Sequence, residues 1–376
     1  MKVLYFLDSV NRGGAETQAI DVCRNAMDYG IDLTVAAGEG ELFEELQMTG
    51  VDVVPVRRKQ PIDFSLIGNL RREIEKRDIQ IVHSYQAVEG LHLYLAARRI
   101  RTVRQVMSFQ GFVPDAKNRL ALRFLIPRID VNIYVSRGLQ EWIARVDGLD
   151  TSVSARVLYN GADPARLRPT GRSVRAELGI EPDAILLGMV GNFYRDPRKD
   201  QLTLARALPS VFAADPTAKC LFVGRSEKGA ESKLEECRRI CAEAGIEDRV
   251  FFLGGRSDVP DILAELDIFV LSSLQEGLPV AVTEAMLAGV ATVVSDIPPH
   301  REATADGLAG MLFRTGDPAD LAAKLTELLN DLGLRREMAE KGRVHAEANF
   351  SIAAHMTGLH KIYSRLLGGH EHFSTP

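Results

Sequence analysis

The sequence predicts an α/β protein built from two open, mostly parallel sheets, and three observations carry that prediction. Short runs rich in Val, Ile and Leu alternate with stretches of helical period along the whole chain, the pattern of strands buried on both faces between helices. The alternation breaks once, at residues 160–169 (NGADPARLRP), where Gly161, Pro164 and Pro169 interrupt regular structure, and then restarts. The chain has 376 residues, enough at roughly 150 per domain for two domains that each bury a core.

In the first half, strands are expected at Val3 to Leu7, Leu33 to Ala37, Val51 to Val56, Ile79 to His83, Thr102 to Met107, Val131 to Val135 and Arg156 to Tyr159. The second half repeats the rhythm at Ile185 to Val190, Ala218 to Val223, Val250 to Leu253, Ile268 to Leu271 and Ala291 to Val294. Beyond Phe313 the pattern is helical from about Pro318 to Leu367, and the tail GGHEHFSTP reads as frayed. No internal repeat and no low-complexity segment occurs.

Composition excludes several classes. There are 46 Lys plus Arg against 51 Asp plus Glu, a net charge of −5, with 46% hydrophobic and 26% charged residues, so the chain is neither disordered nor a basic coat for nucleic acid. No apolar run approaches about 18 residues, and MKVLYFLDSV lacks the apolar core and cleavage site of a signal peptide, so a cytoplasmic protein is expected. The four cysteines form no CxxC pair and read as reduced, buried thiols; Asn349-Phe350-Ser351 matches the glycosylation acceptor pattern by coincidence. The eight histidines form no ligand constellation, and no metal site is expected.

In two facing open sheets, ligands bind outside the carboxyl ends of the strands, so a cleft lined by the loops that follow strands is where chemistry is sought. Three loops qualify. Gly13-Gly14-Ala15-Glu16 follows the first strand and opens a helix; two glycines allow close approach of backbone to a ligand, although alone they mark only a tight turn. Neither a GxGxxG fingerprint nor a P-loop is present. Gly191 to Asp200 (GNFYRDPRKD) puts Arg195, Arg198 and Lys199 at a strand end, placed to neutralise a diphosphate or simply to be solvated. SSLQEGLPVAVTEAML follows Leu271, with Glu276 and the Gly277-Leu278 backbone at a helix start and Glu284 inside that helix. Paired carboxylates beside an anion-binding helix end suit a sugar or ribose attached to phosphate.

The E-x7-E pattern of Glu276 and Glu284, with Gly277, Pro279, Ala285, Met286 and Gly289 around it, resembles the signature of family 4 glycosyltransferases, retaining enzymes of the two-domain GT-B fold. The resemblance continues through GGAE at Gly13 to Glu16, NGAD at Asn160 to Asp163, the glycine and lysine of the 191–200 loop, Phe252 to Gly254, Asp267, and Phe350, Ser351, Ile362 and Tyr363 near the end. It implies two Rossmann-like domains: an acceptor-side domain at 1–163, a nucleotide-sugar domain at 164–350, and a closing helix in 351–376 that crosses back to the first.

It also implies transfer of a sugar from a nucleotide diphosphate sugar, with retention, to a glycan or lipid-linked acceptor, without a cofactor. By matched position Glu284 takes the ribose and Glu276 the donor sugar. Gly13, Gly14, Gly191, Lys199, Gly254, Gly277 and Leu278 serve the donor, and Glu16, Arg198 and Glu302 are further candidates. Three departures from the family pattern matter. Asn192 replaces an arginine, whose role then falls to Arg195 or Arg198, with Arg195 preferred. Gln110, in Ser108-Phe109-Gln110-Gly111, stands where a histidine is common and cannot titrate. Gly224-Arg225-Ser226 replaces a Gly-Asp-Gly turn. A nucleotide-sugar epimerase and a catalytically silent sugar-nucleotide binder remain as alternatives.

The acceptor is hinted at by charge. From Arg98 to Arg145 ten cations face three carboxylates, and Lys117 to Arg128 (KNRLALRFLIPR) alternates basic with apolar residues, suiting either an anionic bilayer surface or a packed helix with solvated cations.

Overall fold

The computed structural model describes residues 1–11, 13–113 and 115–368. The tail expected to fray lies outside them apart from Gly368. Its contacts divide the chain into two units: Met1–Gly161 together with the segment that begins at Ile352, and Ala162–Ser351.

The first unit runs β1 (Lys2–Leu7), α1 (Gly14–Asn25), β2 (Asp32–Ala37), α2 (Phe43–Gln47), β3 (Asp52–Pro55), α3 (Phe64–Lys76), β4 (Ile81–Ser84), α4 (Ala87–Ala97), β5 (Arg104–Phe109), α5 (Ala116–Leu125), β6 (Val131–Tyr134), α6 (Arg137–Asp147) and β7 (Ala155–Val157). Its strands form one parallel sheet in the order β3-β2-β1-β4-β5-β6-β7. Both faces are buried, which is why the strands read as continuous apolar runs. Along β1, Val3, Tyr5 and Leu7 join one core cluster and Leu4 and Phe6 the other. Helix starts carry side-chain caps: Asp63 on α3, Asp115 on α5 and Ser136 on α6.

The second unit contains α7 (Val174–Leu178), β8 (Leu186–Val190), α8 (Gln201–Ala214), β9 (Lys219–Val223), α9 (Glu231–Glu243), β10 (Val250–Gly254), α10 (Val259–Glu265), β11 (Ile268–Leu271), α11 (Val280–Leu287), β12 (Ala291–Ser295), α12 (Pro298–Ala303), β13 (Met311–Phe313), α13 (Pro318–Asn330) and α14 (Leu332–Asn349). Its sheet is also parallel, ordered β10-β9-β8-β11-β12-β13. Each sheet therefore reverses its strand order once, between β1 and β4 and between β8 and β11. Loops leaving the carboxyl ends of these strands frame the crevice in which open α/β sheets take ligands.

Most strands lie within two residues of their expected places. The sequence reading missed β13, a three-residue edge strand too short to display a period. The long terminal helical pattern is three helices, because the chain leaves helical geometry at Asp331 and again near Phe350 and Ser351. The last of them, α15 (Ile352–Leu366), belongs to the first unit. There Ile352, Met356, Leu359 and Tyr363 enter the core beside Val3 and Tyr5. A Cβ on Gly358 would come within 2.5 Å of Leu158, so glycine admits this close approach.

A polar chain also fixes α15. The Tyr363 hydroxyl lies 3.0 Å from that of Tyr5 and 2.6 Å from His83 Nδ1, while His83 Nε2 is 2.7 Å from Ser108 Oγ. His355 Nδ1 donates to the Tyr159 carbonyl at 2.7 Å. Among the described residues no helix is long and apolar enough to cross a membrane.

These buried imidazoles make stability depend on pH. Burial, reinforced by the nearby His355, pushes His83 down to about 3, and burial pushes His355 and His300 down to about 4. They are neutral when folded, whereas the unfolded chain protonates below about 6.5, so stability falls as pH drops from there toward 4. Each imidazole is expected to remove about 2 kcal/mol at about pH 5. Thermal unfolding followed from about pH 7 to about pH 5 checks this; an unchanged midpoint would contradict it.

Candidate active site

The loops after β8 and β11 are joined by backbone before any side chain acts. Lys199 and Ser273 form an antiparallel bridge, Leu274 N–H donates to the Arg198 carbonyl at 2.8 Å, and Asp200 N–H donates to Ser272 at 3.0 Å. Gln201, fully buried at the start of α8, donates from Nε2 to the carbonyls of Gly191 and Asn192. Lys233 reaches in from α9 and donates to the carbonyls of Asp196 and Lys199 at 3.0 and 3.1 Å. On the other side Asn192 Oδ1 accepts from Arg225 N–H, and Gly191 N–H donates to Val223. Gly224 has φ +158, and a Cβ there would stand 2.2 Å from the Gly191 carbonyl oxygen, so this turn can lie against the loop only as glycine.

On this frame the Lys199 ammonium sits 2.6 Å from Glu276 Oε1, and the Ser273 hydroxyl donates to the same oxygen at 2.7 Å. Both charged side chains are nearly buried, at 12% and 10% exposure. The Lys199 stem lies across the strand end, within ordinary van der Waals reach of Gly191: a Cβ there would stand 3.5 Å from Lys199 Cε. The other two cations of the loop differ. Arg198 is held by a bidentate pair with Asp196, its guanidinium 4.9 Å from the Tyr194 ring centre. Arg195 is exposed, and its guanidinium has no ion-pair partner among the described residues.

Glu284, buried on α11, receives Arg166 Nη2 at 2.7 Å on Oε1. Leu278 is buried just before α11, and Pro279 caps that helix. His300 of α12 is fully buried, with Nδ1 donating to the Ser295 carbonyl and Nε2 without a hydrogen-bond partner among the described residues. It feels both Glu276 and Lys199 electrostatically. Glu302 is half-buried on the same short helix. Gly254, in the left-handed region at φ +65, ends β10 and accepts from Gly224 N–H at 2.8 Å.

In the first unit, Gly13 caps α1 in extended backbone and Gly14 begins it. A Cβ on Gly13 would collide with the Glu16 carboxylate at 2.6 Å, so the glutamate folds back over the glycine, and burial raises its pKa above the ordinary value. Gln110 follows β5 directly and its Oε1 accepts from Asn160 Nδ2 at 2.8 Å. Nearby in sequence space but unmarked by any motif, Glu89 accepts from the backbone N–H groups of Asp8 and Tyr85, and burial pushes it up to about 8. Arg58 clasps Asp8 at 2.6 to 2.9 Å.

The fold thus brings Gly191, Lys199 and Glu276 together, keeps Arg195 and Arg198 on their loop, and sets Gly254 against the Gly224 turn. Ser273, Lys233, Gln201 and Arg166 were missed by sequence reasoning. Ser273 could have been suspected from its place three residues before Glu276; the other three carry no local signal. Among the described residues no group of three or more His, Cys, Asp or Glu is disposed to hold a metal ion.

Comparison with known proteins follows the same division. A family model described as Glycosyltransferase Family 4 matches residues 12–166, and one described as Glycosyl transferases group 1 matches residues 184–331. The chain is 31% identical over 345 residues to a D-inositol 3-phosphate glycosyltransferase of Corynebacterium efficiens, covering 86% of this chain and 76% of the relative. It is 24% identical over 284 residues to the UDP-Gal:alpha-D-GlcNAc-diphosphoundecaprenol alpha-1,3-galactosyltransferase of Escherichia coli, covering 72% and 71%. In fold it is similar to HepE of Anabaena, solved in complex with UDP, with a TM-score of 0.83 at 21% identity over 97% of this chain and 100% of that one.

The nearly buried pair sets an energetic expectation independent of activity. Lys199→Met strands the Glu276 carboxylate, and the variant is expected to lose about 1–3 kcal/mol of stability. Adding Glu276→Gln should return part of that loss, because no unpaired charge remains. Urea unfolding of the two single variants and the double variant checks this. Strictly additive losses would show that the two side chains are not coupled.

Proposed function

The chain belongs to the family 4, group 1 glycosyltransferases, enzymes with two Rossmann-like domains in the GT-B arrangement, and from that premise we propose that it moves a sugar from a nucleoside diphosphate sugar to a glycan or lipid-linked acceptor with retention at the anomeric carbon. The observation that carries this reading is the Lys199–Glu276 pair at the strand-order reversal, with Glu284 one short helix away.

The chemistry follows from where charge develops. The bond between the anomeric carbon and the departing phosphate oxygen breaks while a bond to the acceptor oxygen forms on the same face. The acceptor's proton passes to that phosphate oxygen, so no titrating side chain is needed and Gln110 can serve by hydrogen bonding alone. Negative charge grows on the diphosphate, and a fixed ammonium stabilises it more in the transition state than in the bound donor. Lys199 supplies that ammonium. Arg195, uncommitted among the described residues, is the accompanying cation, since Arg198 is already neutralised by Asp196. Gly191, Gly277 and Leu278 offer backbone to the diphosphate, and Glu276, held by Ser273 and Lys199 on one oxygen, keeps the other for a donor-sugar hydroxyl. Gly13, Gly14 and Glu16 are donor candidates by matched position. Protein cations make a divalent metal unnecessary in this scheme.

The relatives named above act on an inositol phosphate and on a lipid-linked diphosphate sugar, according to their names, which supports an acceptor of that general kind. Helix α5 supports contact with an anionic bilayer: Leu120 is 70% exposed, Lys117 and Arg123 are exposed beside it, and Arg128 stacks on Phe124 at 4.2 Å. Arg119, which the sequence pattern included, is tied to the buried Asp147 carboxylate at 3.1 Å and is not counted in this surface.

Release of nucleoside diphosphate from a panel of UDP, GDP and ADP sugars, with acceptor and with EDTA present, tests the activity. Lys199→Met is expected to turn over about a hundredfold more slowly, a barrier higher by about 3 kcal/mol, with a smaller loss of donor affinity. Arg195→Met should show the same direction more weakly. A folded Lys199→Met enzyme within about threefold of the parent would remove the lysine from the mechanism, a new sugar nucleotide would indicate an epimerase, and binding without release in any condition a silent binder.

For the membrane surface, co-sedimentation with phosphatidylglycerol vesicles is expected to fall with salt and with Leu120→Ser plus Arg123→Glu. Equal binding to neutral and anionic vesicles would refute it.

A further inference from the structure

Arg166 belongs to no motif, yet it is the residue that holds the buried carboxylate assigned to the ribose. Its Nη2 lies 2.7 Å from Glu284 Oε1, while Oε2 of that carboxylate has no hydrogen-bond partner among the described residues. The arginine stands shortly after Gly161, where the chain enters the second unit, and the segment around it is tied down at both ends. On one side Asp163 accepts through its side chain from Ala165 N–H at 2.8 Å and through its carbonyl from Arg166 N–H at 3.0 Å. On the other, the Asp261 carboxylate accepts from the backbone N–H groups of Thr170, Gly171 and Arg172 and from the Thr170 hydroxyl. Backbone anchoring of this kind gives a long side chain a fixed origin.

We propose that Arg166 is a positioning residue for nucleotide recognition: it holds the Glu284 side chain in one rotamer and leaves Oε2 to accept from the ribose hydroxyls, so that the segment joining the two units determines preference for ribose over deoxyribose in the donor. The proposal rests on the reading of Glu284 as the ribose contact. A carboxylate has about four acceptor positions, and the arginine uses one of them, so the diol can be added without displacing it. Without the guanidinium, a buried carboxylate has to recruit water or turn away, and its second oxygen is no longer presented in a fixed place.

The test is calorimetric titration with UDP, GDP and ADP, and then with the 2′-deoxy and 3′-deoxy forms of whichever binds, on the parent enzyme and on Arg166→Gln, Arg166→Lys and Glu284→Gln. The parent is expected to bind the ribonucleotide about tenfold more tightly than the deoxy forms. Arg166→Gln should bind the ribonucleotide about tenfold more weakly and lose that discrimination, as Glu284→Gln does, while Arg166→Lys regains part of it. In turnover, Arg166→Gln should raise the donor KM and largely spare kcat. The ratio of two affinities on one variant does not depend on how much of it is folded, so a merely structural loss leaves the ratio intact. An Arg166→Gln enzyme that keeps the parent's ratio, while Glu284→Gln loses it, overturns the proposal and leaves the ribose reading standing. A parent that binds ribose and deoxyribose forms equally overturns both.

Discussion

The contact on which the candidate site depends is the ion pair between Lys199 and Glu276, because it joins two loops that leave neighbouring strands at the reversal of strand order. Each loop alone could take many shapes. The antiparallel bridge between Lys199 and Ser273 sets their register, and the Ser273 hydroxyl adds a second donor to the carboxylate oxygen that the ammonium already engages. A nearly buried pair is favourable only when its remaining hydrogen-bonding capacity is met, and here Ser273 meets part of it. The pair thus steadies both loops and engages Glu276 through Oε1.

Around it, the frame is made by groups that bind or pack against loop backbone. Gln201 and Lys233 spend their donors on loop carbonyls, and Gly224 approaches Gly191 more closely than any side chain would permit. Such supporting contacts hold reacting groups to within fractions of an ångström, which electrostatic stabilisation requires. Arg166 extends this principle to Glu284, with a support that originates in the segment joining the two units. In the first unit the tyrosine and histidine chain from Tyr5 through Tyr363 to His83 and Ser108 plays a comparable part, fastening the last helix to the first strand.

Much of this was legible in the sequence. Apolar runs mark β1, β8 and β11 because strands buried on both faces must be apolar throughout, and the Gly-Pro interruption at 160–169 contains the point where one unit ends and the next begins. Glu284 lies within α11 as its place after Pro279 implied, since helix geometry is local, whereas Glu276 stands in the loop ahead of the Pro279 cap. Edge strand β13 was not legible, since three residues cannot show a period, and neither was the division of the terminal helical stretch at Asp331 and Ser351.

By itself the sequence determined most of the elements and the alternation that makes both sheets parallel, which depend on local periodicity, and the residue types available at each strand end; the family showed as a resemblance of ordered motifs. Only the tertiary structure decided which charges are free and which are spoken for. It pairs Arg198 with Asp196, Arg119 with Asp147 and Arg166 with Glu284, and leaves Arg195 exposed on the same loop as Lys199. The physical reason is that an ion pair requires closeness in space, and two of these partnerships join residues 28 and 118 positions apart. No local pattern in the chain records such a meeting; it exists only once the sheet order has carried the two loops to the same end of the fold.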